Sequence, residues 1–324
     1  MTVCIATLFR WNYASKGQPD DLGVAALLAT DRMITAGPAG DVEYEPQQSK
    51  VAYMTPKVIL AVAGEYPVHT EAIATVGKQI EGKPDTSPQT VANLYGRAIQ
   101  SIRQRQSEDI YLSPLGMNLD TFTAQQRDMS ESFVHTITTQ LQGFEGPSVD
   151  ALVVGPGEGR VQIWSVDFRG TVRCFDDVGF HTIGIGSGHA SLSLMQAGYT
   201  NTWLFPNSLA ATYAAKKVAE TAPGVGSSTD IHLVTRDAVT RLWQHAFDSL
   251  EETYRKYLKE HGELVQKSVN ELHEKMQKAG SNAEKQQSTG EHSQADAGPS
   301  ADAAKAARGD ETGRKTGSKY VVED

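Results

Sequence analysis

The chain opens MTVCIATLF, which places a threonine, Thr2, directly behind the initiator methionine. A threonine hydroxyl is a weak nucleophile unless a base lies within hydrogen-bond reach. At a processed N-terminus the base is built in: the residue's own α-amine, with a pKa of about 7.7–8.0 in model peptides, accepts a proton near neutrality. Threonine at position two is small enough for methionine aminopeptidase to remove Met1, so the nucleophile is expected to be exposed without an autocatalytic propeptide. Three further stretches hold residues of chemical interest. ATDRMITAG sets Asp31 at the end of an apolar strand, with Thr35 and Gly37 behind it. SKVAYMTPKVILAVAG sets Lys50 at the start of one strand and Gly64 at the end of the next, and IGSGH puts Ser187 between two glycines where a strand hands over to a helix.

The elements that must position these residues alternate in an order that is not a simple βαβα series. TVCIATLF, LGVAALLAT, VEYE, SKVAYM and KVILAVAG are short β-like runs bounded by Gly, Pro, Asp or Asn, and five strands ahead of any helix predict antiparallel hairpins. Helical stretches follow, roughly VHTEAIATVGKQI, TVANLYGRAIQSIRQRQ and MSESFVHTITTQLQGF. Strands resume with DALVVGPG, GRVQIWSVD and TVRCFDD; two more helices, SLSLMQAGY and SLAATYAAKKVAE, lead to the closing strands TDIHLVT and AVTRLWQ. Strands, helices, strands, helices, strands is the layout of two antiparallel sheets stacked between helical layers, an α+β fold of the four-layer αββα sandwich type. Both sheets are then buried on two sides, and LGVAALLA and KVILAVA are accordingly apolar with little alternation. Residues 1–242 are expected to form this domain. An amphipathic helical extension follows over 243–279, interrupted at Gly262, and then a disordered tail over 280–324, rich in Ala, Gly, Ser, Gln and charge.

In order and spacing these stretches resemble the proteasome family of N-terminal-nucleophile (Ntn) hydrolases, the catalytic β subunits and the HslV-type and related bacterial homologues. The resemblance covers roughly residues 2–242. It rests on Thr2, Asp31, Thr35, Gly37, Lys50, Ala63 and Gly64, with Lys50 to Gly64 matching without a gap, and on the Gly-Ser-Gly turn at Ser187. It implies that Thr2, Asp31, Lys50 and Ser187 are catalytic and that the backbone N–H of Gly64 donates to the oxyanion of a tetrahedral intermediate. A Lys50 ammonium lowers the cost of a developing alkoxide and pushes the amine toward its neutral form, while Asp31 holds the ammonium in place. By the same correspondence Ile34, Ala52, Val62, Tyr66 and Thr70 line the pocket for the substrate side chain, which predicts a preference for apolar residues before the cut. Asp31 and Lys50 also suit a surface ion pair, and Ser187 also suits a helix cap. His69, His181 and His189 lie near these motifs without metal-ligand spacing and are read as structural or rim residues.

Two departures from the family pattern stand out. RWNYASKGQPDD lengthens the first hairpin, and TAPGVGSS lacks the Asp and Ser that the family places near Ala222 and Val225. Ser227, Ser228 and Asp230 are the candidate substitutes. The long segment EDIYLSPLGMNLDTFTAQQRD has no chemical role in this reading.

Composition narrows the partners. The 324 residues carry a net charge of −9 with no Lys/Arg block, which argues against nucleic acid. The two cysteines, Cys4 and Cys174, stand in β-like stretches and are expected as buried free thiols; no metal and no cofactor are implied. No apolar run reaches the roughly 18 residues of a membrane span, and the start of the chain has no secretory pattern, so a cytoplasmic protein without membrane contact is expected. The resemblance implies a threonine-type peptidase acting on polypeptides within a homo-oligomeric ring, and it admits an ATP-dependent unfoldase as partner. Two other readings stand beside it: a catalytically silent subunit that organises an assembly, and an Ntn amidohydrolase acting on a small amide.

Overall fold

Short apolar runs closed by Gly, Pro, Asp and Asn fold as strands, and the runs with three- and four-residue spacing fold as helices. The computed structural model describes residues 2–13, 21–36, 42–46 and 49–290. Its elements run β1 (Cys4–Asn12), β2 (Leu22–Asp31), β3 (Ile34–Ala36), β4 (Val42–Tyr44), β5 (Val51–Tyr53), β6 (Ile59–Gly64), α1 (Tyr66–Ile80), α2 (Pro88–Tyr111), α3 (Leu119–Gln125) and α4 (Glu131–Gly143). The second half continues with β7 (Val149–Gly157), β8 (Arg160–Val166), β9 (Val172–Cys174), β10 (Phe180–Ile183), α5 (Ser187–Gln196), α6 (Phe205–Ala219), β11 (Thr229–Val234), β12 (Val239–Arg241) and α7 (Gln244–Gly290). The chain is mixed α+β with two five-stranded antiparallel sheets, ordered β10-β1-β2-β11-β12 and β5-β6-β7-β8-β9; β3 and β4 form a separate pair.

Side-chain alternation along the strands assigns each residue to one of two cores. Cys4, Ala6 and Leu8 of β1 and Ala26 and Leu28 of β2 meet Ile59 and Ala61 of β6 and Leu152 and Val154 of β7, so this cluster is shared by both sheets. The alternate residues Ile5, Phe9, Leu27 and Ala29 pack with Leu194 of α5 and Ala215 of α6. On the other sheet, Leu60, Val62 and Val153 pack with Ala72 and Val76 of α1 and Tyr95 and Ile99 of α2. Burial on both faces is why these strands read as continuous apolar runs. Each fully buried Leu or Ile contributes about 1.5–3 kcal/mol relative to exposure.

Local signals set several element ends. Ser87 accepts from Thr90 N to start α2, and Pro88 occupies the first turn, where its missing N–H costs nothing. The long segment after α2 holds a short helix: Asn118 caps α3 by accepting from Thr121 N at 2.8 Å. Phe122 then joins Leu112 and Ile137 in a small separate core. The helix expected to break at Gly262 runs unbroken and continues past 279 to Gly290. One helical glycine costs only about 1 kcal/mol, too little to break a helix whose other residues favour it. The division between the two structural units falls between Leu258 and Lys259, not at 242. Before it, Phe247, Leu250 and Tyr254 pack on the α5–α6 side of the first sheet, and Tyr213 Oη donates to Glu251 at 2.7 Å. After it, Val265, Val269, Leu272 and Met276 are exposed. Residues 291–324, most of the segment read as disordered, lie outside the described residues, as does the insertion over 14–20. Both cysteines are free, but Cys174 is exposed, because it sits in a short strand at the edge of its sheet.

The crossing of α2 over the turn between β8 and β9 depends on close backbone approach. A Cβ built on Gly96 meets Gly170 O at 2.6 Å, which no side-chain rotation relieves. Gly96→Ala is expected to lower the unfolding free energy by about 1–3 kcal/mol, read as a lower urea midpoint. An unchanged midpoint would show that the helix lifts from the turn without penalty.

Candidate active site

Thr2 and Asp31 are brought together by strand pairing. β1 and β2 run antiparallel with Cys4 opposite Thr30, so the residues before β1 lie beside the end of β2. Asp31 is 0 % exposed and Thr2 2 %. Around the Asp31 carboxylate five donors converge. Oδ1 accepts from Thr2 Oγ1, from Val3 N at 3.0 Å and from Lys50 Nζ at 3.0 Å; Oδ2 accepts from Met33 N at 3.1 Å and Gly226 N at 3.0 Å. Lys50 Nζ also donates to Thr2 Oγ1 at 2.5 Å, so hydroxyl, ammonium and carboxylate form a closed triangle. The Asp31–Lys50 ion pair is thus buried, not a surface pair. Both carboxylate oxygens are thus met by donors, and Lys50 is held in place beside them.

Lys50 stands immediately before β5, which pairs with β6 through Val51 opposite Ala61. The same register carries β6 on to Gly64. Gly64 has φ +110°, and a Cβ there meets Ser148 O at 1.9 Å, so only glycine fits. The strand end is pinned from two directions. Glu65 N donates to Ser148 O at 3.0 Å and Glu65 Oε1 accepts from Ser148 N at 3.1 Å. His69 Nε2 lies 2.9 Å from Ala63 O, a contact that requires the proton on Nε2; Nδ1 then accepts from Tyr95 Oη. Cys4 Sγ reaches Val62 O at 3.4 Å, tying β1 to β6. Burial pushes the Cys4 thiol well above its ordinary value, so it is neutral and does not compete as a nucleophile.

The remaining expected residues divide. Gly186 occupies the cap position of α5 and Ser187 its first helical position, so Ser187 is not the helix cap. Its backbone carbonyl accepts from Thr182 Oγ1 at 3.0 Å, while no hydrogen bond joins its hydroxyl to Thr2 among the described residues. Gly186 N instead donates to Thr2 O at 3.3 Å, so the Gly-Ser-Gly turn holds the Thr2 backbone. Ile34 and Ala52 are half-buried, Val62 is buried in the core shared with α1 and α2, and Tyr66 and Thr70 are exposed on the first turns of α1. Thr35 lies in β3 opposite Glu43, and Gly37 lies outside the described residues. His181 stacks on Phe175 and His189 is exposed, in keeping with structural and rim roles. A cavity of about 480 Å³ bordered by Arg103, Gln104, Phe122 and Leu141 contains none of the candidate residues.

The region lacking the expected Asp and Ser is built differently. Ala222 and Val225 are buried in the apolar core beneath the first sheet. Ser228 is occupied by Glu45, to which it donates from N at 3.1 Å and from Oγ at 2.6 Å. Asp230 takes a two-pronged contact from Arg32, at 2.6 and 2.9 Å, and a further hydrogen bond from Arg241. Burial alone raises the Asp230 carboxyl, and the two guanidiniums outweigh it and hold it below the usual carboxylate range. Among the described residues no side chain of Ser227, Ser228 or Asp230 hydrogen-bonds to Asp31; the backbone N–H of Gly226 does. Sequence reasoning missed Gly226, Glu45 and Lys216. None of the three left a signal in the sequence. Among the described residues no cluster of side chains suits a metal ion, and no helix is long and apolar enough to cross a membrane. Compared with protein-family models and with curated proteins, the sequence finds no match.

Burial sets a pH dependence. His69, His181 and His232 all have pKa values lowered to about 4, chiefly by desolvation, against an ordinary value of 6.5. The unfolded chain takes up protons near pH 6.5 that the fold refuses, so their stabilisation is complete above about 6.5 and is lost as the pH falls toward 4. Urea midpoints are expected to drop steadily between pH 7 and 5, and less steeply in His69→Gln. A midpoint flat across that interval would contradict the neutral assignment.

Proposed function

We propose that the protein is a threonine-type peptidase of the proteasome-like Ntn class, with Thr2 as nucleophile once Met1 is removed. The observation that carries this reading is the buried triangle of Thr2 Oγ1, Lys50 Nζ and Asp31 Oδ1, since a surface threonine with a structural role needs no desolvated ammonium 2.5 Å from its hydroxyl. Two antiparallel sheets with a shared core and helices packed on their other faces support the finer reading of an αββα sandwich. In the proposed reaction the Thr2 hydroxyl proton passes to the freed α-amine as Oγ1 bonds to the substrate carbonyl carbon. The carbonyl oxygen becomes an oxyanion facing the Gly64 N–H. The C–N bond then breaks, the leaving amine takes the proton, and water hydrolyses the threonyl ester to restore Thr2. The Lys50 ammonium beside Oγ1 favours the neutral amine and the developing alkoxide. Ile34, Ala52, Val62, Tyr66 and Thr70 would receive an apolar side chain. Polypeptide substrates, a homo-oligomeric ring in the cytoplasm and an unfoldase partner belong to this same proposal.

A catalytically silent subunit is favoured by one set of facts: Ala222 and Val225 are apolar and, among the described residues, no hydrogen bond joins the Ser187 side chain to Thr2. Intact mass and reaction with a peptide epoxyketone separate the readings. The peptidase reading expects Met1 to be absent and one adduct per chain on Thr2, abolished in Thr2→Ala. Retained Met1, or no adduct on assembled protein, would leave the silent subunit standing. Lys50→Met is expected to slow adduct formation by about 100-fold or more. It should also cost about 3–5 kcal/mol of stability, because Asp31 loses its buried counter-ion. A full-rate Lys50→Met would remove the ammonium from the mechanism.

A further inference from the structure

Lys216 is a fully buried cation that the reaction above does not use. It projects from α6 with its side chain 0 % exposed, and its three ammonium protons have three acceptors: Glu220 Oε1 at 2.6 Å, Gly226 O at 2.8 Å and Ser227 O at 3.0 Å. Burying an ammonium costs several kcal/mol, and an apolar side chain in the same place would serve packing better. What the ammonium grips is the short turn between α6 and β11, where a pair of acidic and hydroxyl side chains was expected. Gly226 is held at both ends. Its carbonyl accepts from Lys216, and its N–H donates to Asp31 Oδ2 at 3.0 Å. The third wall is Glu45, whose carboxylate takes Ser228 N and Oγ, and a Cβ on Gly226 would meet Glu45 Oε1 at 1.9 Å and Met33 Cβ at 2.9 Å. The turn therefore has no room to drift toward or away from Asp31 while Lys216 and Glu45 stay in place.

Taking Thr2 as the nucleophile, we infer that Lys216 is a positioning residue for the site: by binding the carbonyls of Gly226 and Ser227 it fixes the Gly226 N–H on Asp31, supplying from the backbone what the residues at 222 and 225 do not supply from side chains. Asp31 is then held on both oxygens. Oδ1 faces Thr2 and Lys50, and Oδ2 faces a turn clamped by Lys216. Loss of the clamp frees Oδ2, lets the carboxylate rotate, and shifts the Thr2 hydroxyl and the Lys50 ammonium with it. Substrate binding is left alone, because the ammonium of Lys216 bonds Glu220, Gly226 and Ser227 and, among the described residues, hydrogen-bonds to none of those proposed to line the side-chain pocket.

The test uses full-length protein and a peptide epoxyketone, following the limiting rate of adduct formation and the half-saturating concentration per folded chain. Lys216→Met is expected to lower the limiting rate about 10- to 100-fold, as small misplacements of reacting groups do, with the half-saturating concentration unchanged within about twofold. Lys216→Arg, which keeps the charge and the donors, should recover part of the rate. Lys216→Gln, which keeps donors for both carbonyls, covers the case in which Lys216→Met does not fold, and is expected to be intermediate. A wild-type limiting rate in folded Lys216→Met or Lys216→Gln overturns the inference and leaves Thr2 as nucleophile. So does a loss confined to the half-saturating concentration. A wild-type chain that forms no adduct overturns the Thr2 reading itself, and the positioning role with it.

Discussion

The Asp31 carboxylate is the constraint on which the rest of the site depends. A carboxylate with no exposed surface is tolerated only when its lone pairs are met by donors, and here the donors come from four separate parts of the chain: the first residues, the turn after β2, the segment before β5 and the turn before β11. Each must arrive within hydrogen-bond distance at once. The pairing of β2 with both β1 and β11 achieves this, since it places the end of β2 between the start of β1 and the start of β11. The central position of β2 in its sheet is thus a requirement of the site as much as of the core.

The second sheet contributes through rigidity. Lys50 and Gly64 stand at the same end of the β5–β6 hairpin, and β6 is fixed by the core on both faces. Its last residues are held by groups with no chemistry of their own: His69 on the Ala63 carbonyl and Glu65 on Ser148. The neutral state that burial forces on His69 is what makes it useful there, because a neutral ring with its proton on Nε2 donates to a carbonyl and accepts from Tyr95 without bringing a charge near Lys50. Lys50 is paired with Asp31 and, behind them, Lys216 with Glu220. Alternating signs at close range allow these ions to be buried together where any one alone would be costly.

Much of this was legible in the amino-acid sequence. Apolar runs without alternation announced two-sided burial, and β1, β2 and β6 fall on the runs that predicted them; Asp31, Lys50 and Thr2 were marked by their positions at strand ends. Those features are local, set by periodicity and by residue type at an element's boundary. Other features were not legible because they depend on which distant segments meet. GVGSS carries no side chain that marks it as the partner of Asp31, since the donor is a backbone N–H that every non-proline residue possesses. Lys216 stands in the sequence as one of two adjacent lysines in the predicted helix SLAATYAAKKVAE, and only the tertiary packing of α6 buries it. Glu45 likewise reads as the last residue of the β-like run VEYE until Ser228 closes on it. The sequence by itself determined the elements and the residue types able to do chemistry; only the tertiary structure decided which backbone groups and buried ions complete the site, because hydrogen-bond donors common to every peptide acquire identity only through place.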